Sequence, residues 1–143
     1  MKNLIAALIG LLALLTSVNA VENESPILKL TLLNQNPDPA RAGDIAELRL
    51  RIENTGGGTL NNAEVEVVGN YPFEVIDGPS LQNLGTLYAY QTGKNYVNAQ
   101  FKLKVNKDAI KGRHELKVRY RPNKEEWVTV SFDIDVTSKE FAQ

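Results

Sequence analysis

From Ile27 onward, apolar and polar residues alternate along the chain with a period of two. Ala46, Leu48, Leu50 and Ile52 interleave with Glu47, Arg49, Arg51 and Glu53. Val97, Ala99, Phe101, Leu103 and Val105 interleave with Asn98, Gln100, Lys102 and Lys104. The same pattern sets Leu116, Val118 and Tyr120 against Lys117 and Arg119, and Val128, Val130, Phe132, Ile134 and Val136 against Thr129, Ser131, Asp133 and Asp135. Shorter runs are Leu28, Leu30 and Leu32; Ala63, Val65 and Val67; and Phe73 with Val75. Successive side chains of a strand point to opposite faces, so each run predicts a strand with one buried and one wet face. That is the signature of antiparallel sheets packed as two layers.

The intervening residues are turn formers. Asn36-Pro37-Asp38-Pro39 and Ala42-Gly43-Asp44 separate the first two strands, and Asn54-Thr55-Gly56-Gly57-Gly58 follows the second. Asp77-Gly78-Pro79, Thr92-Gly93, Lys111-Gly112 and Arg121-Pro122-Asn123 close later segments. Glycine permits positive φ, proline presets φ, and Asn and Asp bond their own backbone, so these clusters punctuate strands. About seven short strands with regular turns predict an all-β sandwich. No long helical period follows residue 20; Asn106 to Lys111 has room for one turn. No linker-like stretch or internal repeat divides residues 21–143, which read as one domain with its core over about 26–137 and polar ends.

The first twenty residues are of another kind. Lys2 precedes a 15-residue apolar run from Leu4 to Val18, and Val18-Asn19-Ala20 resembles a signal-peptidase site. The run is shorter than the roughly 18–20 residues that span a bilayer. The reading is a signal peptide cut between Ala20 and Val21, which places the protein in the secreted or cell-surface compartment. The competing reading is an uncleaved N-terminal anchor, and membrane contact is expected only in that case. No later segment is apolar enough to span.

Composition narrows the chemistry. The chain has 143 residues, a formal charge of −1, no cysteine, one histidine and one tryptophan. The balance of 16 basic and 17 acidic residues offers no net field for nucleic acid. Without cysteine there are no disulfides, thiolate metal sites, iron–sulfur clusters or thiol nucleophiles. One histidine excludes sites needing two. The mature serines Ser25, Ser80, Ser131 and Ser138 lie outside any G-x-S-x-G motif. No enzyme, cofactor or metal site is expected.

Several residues remain as candidates. Glu64 with Glu66, and Asp133 with Asp135, are carboxylates two apart on one strand face; acid–base work or calcium would need such pairs, but a solvated face generates them too. Tyr71, Tyr88, Tyr90 and Tyr96 group in the sequence, and Tyr88-Ala89-Tyr90 falls in an expected loop. Tyr88 and Tyr90 could anchor a partner or stack on a glycan, or cover an open end of the sandwich. Trp127 opens the last strand opposite its inward set, as a surface anchor or an edge cover. Lys102, Lys104, Lys117, Arg119 and Arg121 face outward and would form a basic patch if their strands neighbour each other, with Glu115 and Asp133 as neutralising acids. Asn23-Glu24-Ser25 matches a glycosylation sequon followed by Pro26.

The order of short motifs carries a resemblance. Ala42-Gly43-Asp44 precedes a charged strand that ends in Glu53-Asn54-Thr55-Gly56; Pro72-Phe73, Leu84-Gly85-Thr86-Leu87 and Asn106 to Gly112 follow in turn. Over about Ser25 to Val136 this resembles the CARDB-like and archaeal S-layer-associated β-sandwich domains, with their xxNTG turn, LGxL segment and xxxAxxGxYxLxVxx stretch. His114 stands where that family has an aromatic, and its parity points it to the core as a packed, hydrogen-bonded residue. The resemblance implies an immunoglobulin-like fold and an adhesive, spacer or assembly role outside the cell. The expected function is therefore a non-enzymatic surface or S-layer-associated module that binds a cell-envelope protein or glycan, with oligomerisation through an edge strand as one route. The alternatives are an N-terminally anchored stator or pilus-accessory protein, and a carbohydrate-binding module.

Overall fold

The computed structural model describes residues 26–122 and 126–138. The expected signal peptide or anchor, the expected Ala20–Val21 junction and the Asn23 sequon lie outside the described residues. The strands are β1 (Leu28–Asn36), β2 (Ala40–Arg41), β3 (Ile45–Asn54), β4 (Glu64–Val68), β5 (Phe73–Ile76), β6 (Leu81–Asn83), β7 (Val97–Val105), β8 (Gly112–Arg121) and β9 (Val128–Thr137). One 3₁₀ turn, Gly93–Asn95, precedes β7. No helix among the described residues is long and apolar enough to cross a membrane.

The strands form two sheets, ordered β1-β3-β7-β5 and β2-β9-β8-β4-β6. The seven expected strands are all present. The two additional ones, β2 and β6, have two and three residues, too few to show a periodicity. All pairings are antiparallel except β2 with β9, where Ala40 pairs with Val136 and Arg41 with Thr137. The chain changes sheets here: after β1 it passes Pro37 and Pro39 and joins the second sheet at β2. Proline cannot donate to a ladder, so the crossing falls where the strand must release its partner.

The inward sets meet between the sheets. Leu48, Leu50, Ile52, Phe101 and Leu103 from one sheet and Val65, Val67, Leu116, Val118, Ile134 and Val136 from the other are buried in one cluster. Leu60 and Leu87, from the loops, close that cluster through a bridge in which each N–H donates to the other's carbonyl at 2.9 and 2.8 Å. Burial of aliphatic area supplies the driving force, at roughly 1.5–3 kcal/mol per fully buried side chain.

The topology corrects the basic patch. β7 and β8 belong to different sheets, so Lys102 and Lys104 lie on one outer surface and Lys117, Arg119 and Arg121 on the opposite one. Glu115 and Asp133 do not neutralise the arginines either; they face each other across β8 and β9.

Leu50→Ala removes a side chain with no solvent exposure at the centre of β3 and should cost about 2–5 kcal/mol in urea unfolding. Lys102→Ala, on the wet face of β7, should stay within about 0.5 kcal/mol of the parent. Equal effects of the two substitutions would contradict the assigned register.

Candidate functional site

One end of the sandwich collects the C-terminus of β3, the N-termini of β1, β7 and β9, and the loops that follow β3 and β6. Its centre is Asn54, with no solvent exposure. By parity Asn54 continues the inward set Ala46, Leu48, Leu50 and Ile52, so an amide occupies a core position and needs partners there. It has them. Its Oδ1 accepts from the N–H groups of Ile27 (3.2 Å) and Gly56 (3.1 Å). Its Nδ2 is placed to donate to the carbonyls of Gly58 (2.7 Å), Leu87 (3.3 Å) and Tyr88 (3.2 Å). Its own N–H donates to the Gln91 carbonyl at 3.1 Å. One side chain thus ties together three stretches of chain that carry no regular ladder of their own.

Beside it, Glu53 faces outward but is covered. Its carboxylate pairs with Arg51 (Nε to Oε1, 3.1 Å) and accepts the Gly93 N–H at 3.2 Å. Arg51 also donates to the Gly93 carbonyl at 3.1 Å and lies 4.5 Å from the centre of the Tyr96 ring. Gly93 has φ +62°, a conformation glycine adopts without steric cost. The 3₁₀ turn is therefore clamped onto the outer surface of the sheet. Burial pushes the Glu53 pKa up, but the hydrogen bonds from Arg51 and Gly93 and the charges of Arg51 and Lys29 outweigh it and hold the carboxyl below its ordinary value.

The other sheet carries a second charged array at this end. Arg121 pairs with Glu64 at 3.1 Å and Arg119 with Glu66 at 2.8 Å. Both guanidinium carbons lie over the Trp127 ring, 4.4 and 4.3 Å from its centre. Trp127 is half-buried, and the stacked guanidiniums replace solvent over it. The expectation of a solvated Glu64–Glu66 face is corrected: Glu64 is buried and Glu66 half-buried, because β4 and β8 are neighbours and place each acid opposite an arginine. Asp133 and Asp135 are exposed, and Asp135 pairs loosely with Arg113 at 3.6 Å.

Tyr88 and Tyr90 project from the loop that Asn54 holds, 66% and 70% exposed. Their backbone is fixed: the Tyr88 carbonyl is the Asn54 acceptor, the Tyr88 N–H donates to Gln91 Oε1 at 2.8 Å, and the Tyr90 N–H donates to the Gly56 carbonyl at 2.9 Å. Tyr90 has φ +55°, a strained setting for a bulky residue that the surrounding bonds maintain. The grouping of tyrosines in the sequence does not survive folding. Tyr96 packs under Arg51, and Tyr71 sits at the opposite end, in the loop where the Pro72 carbonyl accepts from Asn106 and Asn70 donates to the Glu115 carbonyl.

His114 is half-buried, with Nε2 2.6 Å from the Ile110 carbonyl and its ring edge-on to Phe73. It is packed and hydrogen-bonded as its parity suggested. Ser131 is on the exposed face of β9, paired across to Lys117. Among the described residues no three His, Cys, Asp or Glu side chains are grouped to hold a metal ion. Two surface grooves, of about 420 and 390 Å³, are lined mainly by residues of β4, β5 and their adjoining loops, and they include none of Tyr88, Tyr90 and Trp127.

The role of Asn54 was detectable in principle, as a polar residue on an inward parity. The burial of Glu53 was not, since it depends on where the loop before β7 folds.

A folded-state pKa held below the unfolded value makes Glu53 stabilising above the unfolded pKa, and that contribution fades as pH falls through the folded one. In urea unfolding across pH, the parent should exceed Glu53→Gln by a constant margin near neutrality, and the two should converge under acid conditions. A margin independent of pH would contradict the clamp. Arg119→Ala should red-shift the emission of the lone tryptophan and cost about 1–2 kcal/mol; unchanged emission would contradict the stack.

No family model and no curated protein matches the chain. Among solved structures, the CARDB domain of a Pyrococcus furiosus protein, determined in complex with di-metal ions, aligns with TM-score 0.51 and 17% identity over 85% of this chain and all of that one. A family 123 glycoside hydrolase from Clostridium perfringens aligns at TM-score 0.43 and 11% identity, over 69% of this chain and 22% of that one. The sporulation control protein Spo0M from Bacillus subtilis aligns at TM-score 0.43 and 9% identity, over 80% of this chain and 50% of that one. At these identities the likeness is one of fold, and the fold is a β-sandwich similar to that of a CARDB domain.

Proposed function

We propose that this chain is a non-enzymatic, exported module of the cell surface that binds another envelope component through the loop end of its sandwich. The observation that carries the reading is the pair Tyr88 and Tyr90, two large exposed aromatics on a loop whose backbone is fixed by Asn54, Gly56 and Gln91. Tyrosine offers contact area at low entropic cost, and a rigid loop loses little more on binding. Both rings lie apart from the core, so packing gives no account of their exposure. The likeness of fold to a CARDB domain supports a binding role over a catalytic one. Export rests on the leader, with Lys2, the apolar run Leu4 to Val18 and the Ala20–Val21 junction as its features. The partner is an envelope protein or glycan, and S-layer association is its expected setting.

The test pairs stability with binding. Tyr88→Ala and Tyr90→Ala should unfold within about 0.5 kcal/mol of the parent, as exposed positions do. Retention on a purified envelope fraction should fall by about tenfold or more for the double variant, as loss of interface tyrosines does. Binding that survives both substitutions would overturn the assignment of this end. Glycan-array binding lost with the same residues would identify the component as carbohydrate, and arrays without signal alongside retained envelope binding would identify it as protein.

A further inference from the structure

The opposite kind of feature, an edge of backbone and not a loop, lies along β9. β2 covers β9 only at Val136 and Thr137, so Val128 to Asp135 has no strand partner on that side among the described residues. The polarity of this edge follows from two bonds. The Thr137 carbonyl accepts from Ala42 N at 2.9 Å and the Asp135 carbonyl accepts from Gln35 Nε2 at 3.0 Å, so odd-numbered residues point their backbone groups away from β8. The β8–β9 register runs without a bulge from Val128 to Val136, and in a regular strand the N–H and C=O of one residue point to the same side. Thr129, Ser131 and Asp133 therefore point outward donors and acceptors that have no strand partner among the described residues.

Natural sheets blunt such edges with lysine, proline or a bulge. The neighbouring edge, β1, has a bulge at Leu33 and carries Lys29. Val128 to Asp135 has none of these devices. The inward side chains beneath the edge are also incompletely covered: Val128 is 44% exposed, and Val130 and Phe132 are half-buried at the fringe of the core.

Charge identifies the occupant. On the outer face Asp133 stands directly opposite Glu115, both exposed, and neither carboxylate has an ion pair among the described residues. Like charges facing each other across strands are unfavourable, and the outward side chains of the open stretch, Thr129, Ser131, Asp133 and Asp135, include no cation. We propose that β9 accepts an extended segment of another protein as an added strand, with aliphatic side chains facing in over Val130 and Phe132 and lysine or arginine facing out beside Asp133. A second copy of this chain meets the requirement less well, since pairing β9 with β9 doubles the acidic charge on one face. The proposal concerns a surface separate from Tyr88 and Tyr90 and does not depend on their role.

Two fluorescent nine-residue peptides test it, one alternating valine with lysine and one alternating valine with glutamate, titrated against the full chain in detergent. The lysine peptide should bind at least about tenfold more tightly, and Asp133→Lys should reverse the preference. Ser131→Pro removes an outward N–H and no bond to β8, so it should abolish binding while leaving the unfolding transition nearly unchanged. Hydrogen exchange with the lysine peptide bound should slow at Thr129, Ser131 and Asp133. No binding, equal affinity for the two peptides, or protection confined elsewhere would overturn the proposal. Self-association that protects the same three amides and leaves no peptide effect would overturn it in favour of a second copy. Tyr88→Ala should bind the lysine peptide as the parent does, which keeps this test distinct from that of the loop end.

Discussion

Asn54 is the constraint on which this end of the molecule depends. Two sheets packed through aliphatic faces explain the middle of the sandwich, where burial alone is sufficient. They do not explain how the connections after β3 and β6 acquire one conformation, because these connections contain three consecutive glycines and few ladder bonds. A buried amide narrows the choice, because every arrangement that leaves it unpaired is penalised. Its oxygen takes two N–H groups, and its two protons are shared among three carbonyls. Each such bond contributes only about 0.5–1.5 kcal/mol net, whereas an unpaired amide in the core costs about 1–3 kcal/mol per group. The arrangement is specified more by the penalty for alternatives than by the gain from any one bond.

The surroundings repeat the same logic with charge. Arg51 and Glu53 hold the turn before β7 to one sheet, and the Glu64–Arg121 and Glu66–Arg119 pairs hold Trp127 to the other. Both arrays are partly shielded from water, where ion pairs that also hydrogen-bond and stack are worth more than exposed ones. The loop bearing Tyr88 and Tyr90 is thus fixed to an end that is itself braced on both sheets. A recognition surface needs this combination of exposed aromatic area and immobile backbone. The β9 edge is the complement: its backbone is equally fixed, but the groups it offers are the main-chain donors and acceptors themselves.

Much of this was legible in the sequence. The seven expected strands follow from a period of two, and Leu50, Phe101 and Leu116 fall inside where parity puts them. β2 and β6 were illegible because two or three residues contain no period. The partners of Arg119 and Arg121 were illegible because pairing β4 with β8 joins residues more than fifty positions apart. Tyr71 was grouped with Tyr88 and Tyr90 on proximity along the chain, yet the intervening strands carry it to the other end. Asn54 lies between these cases: the NTG motif announced a turn, and only its inward parity hinted at a buried hub.

Native-state hydrogen exchange on Asn54→Ala tests the central claim most directly. The expected result is joint loss of protection at Gly56, Leu60, Leu87, Tyr90 and Gln91, with the β8–β9 and β3–β7 ladders still protected to near the global unfolding limit. Protection retained at Leu60 and Leu87 while the variant stays folded would show that the loops are held by something other than Asn54, and would contradict the account.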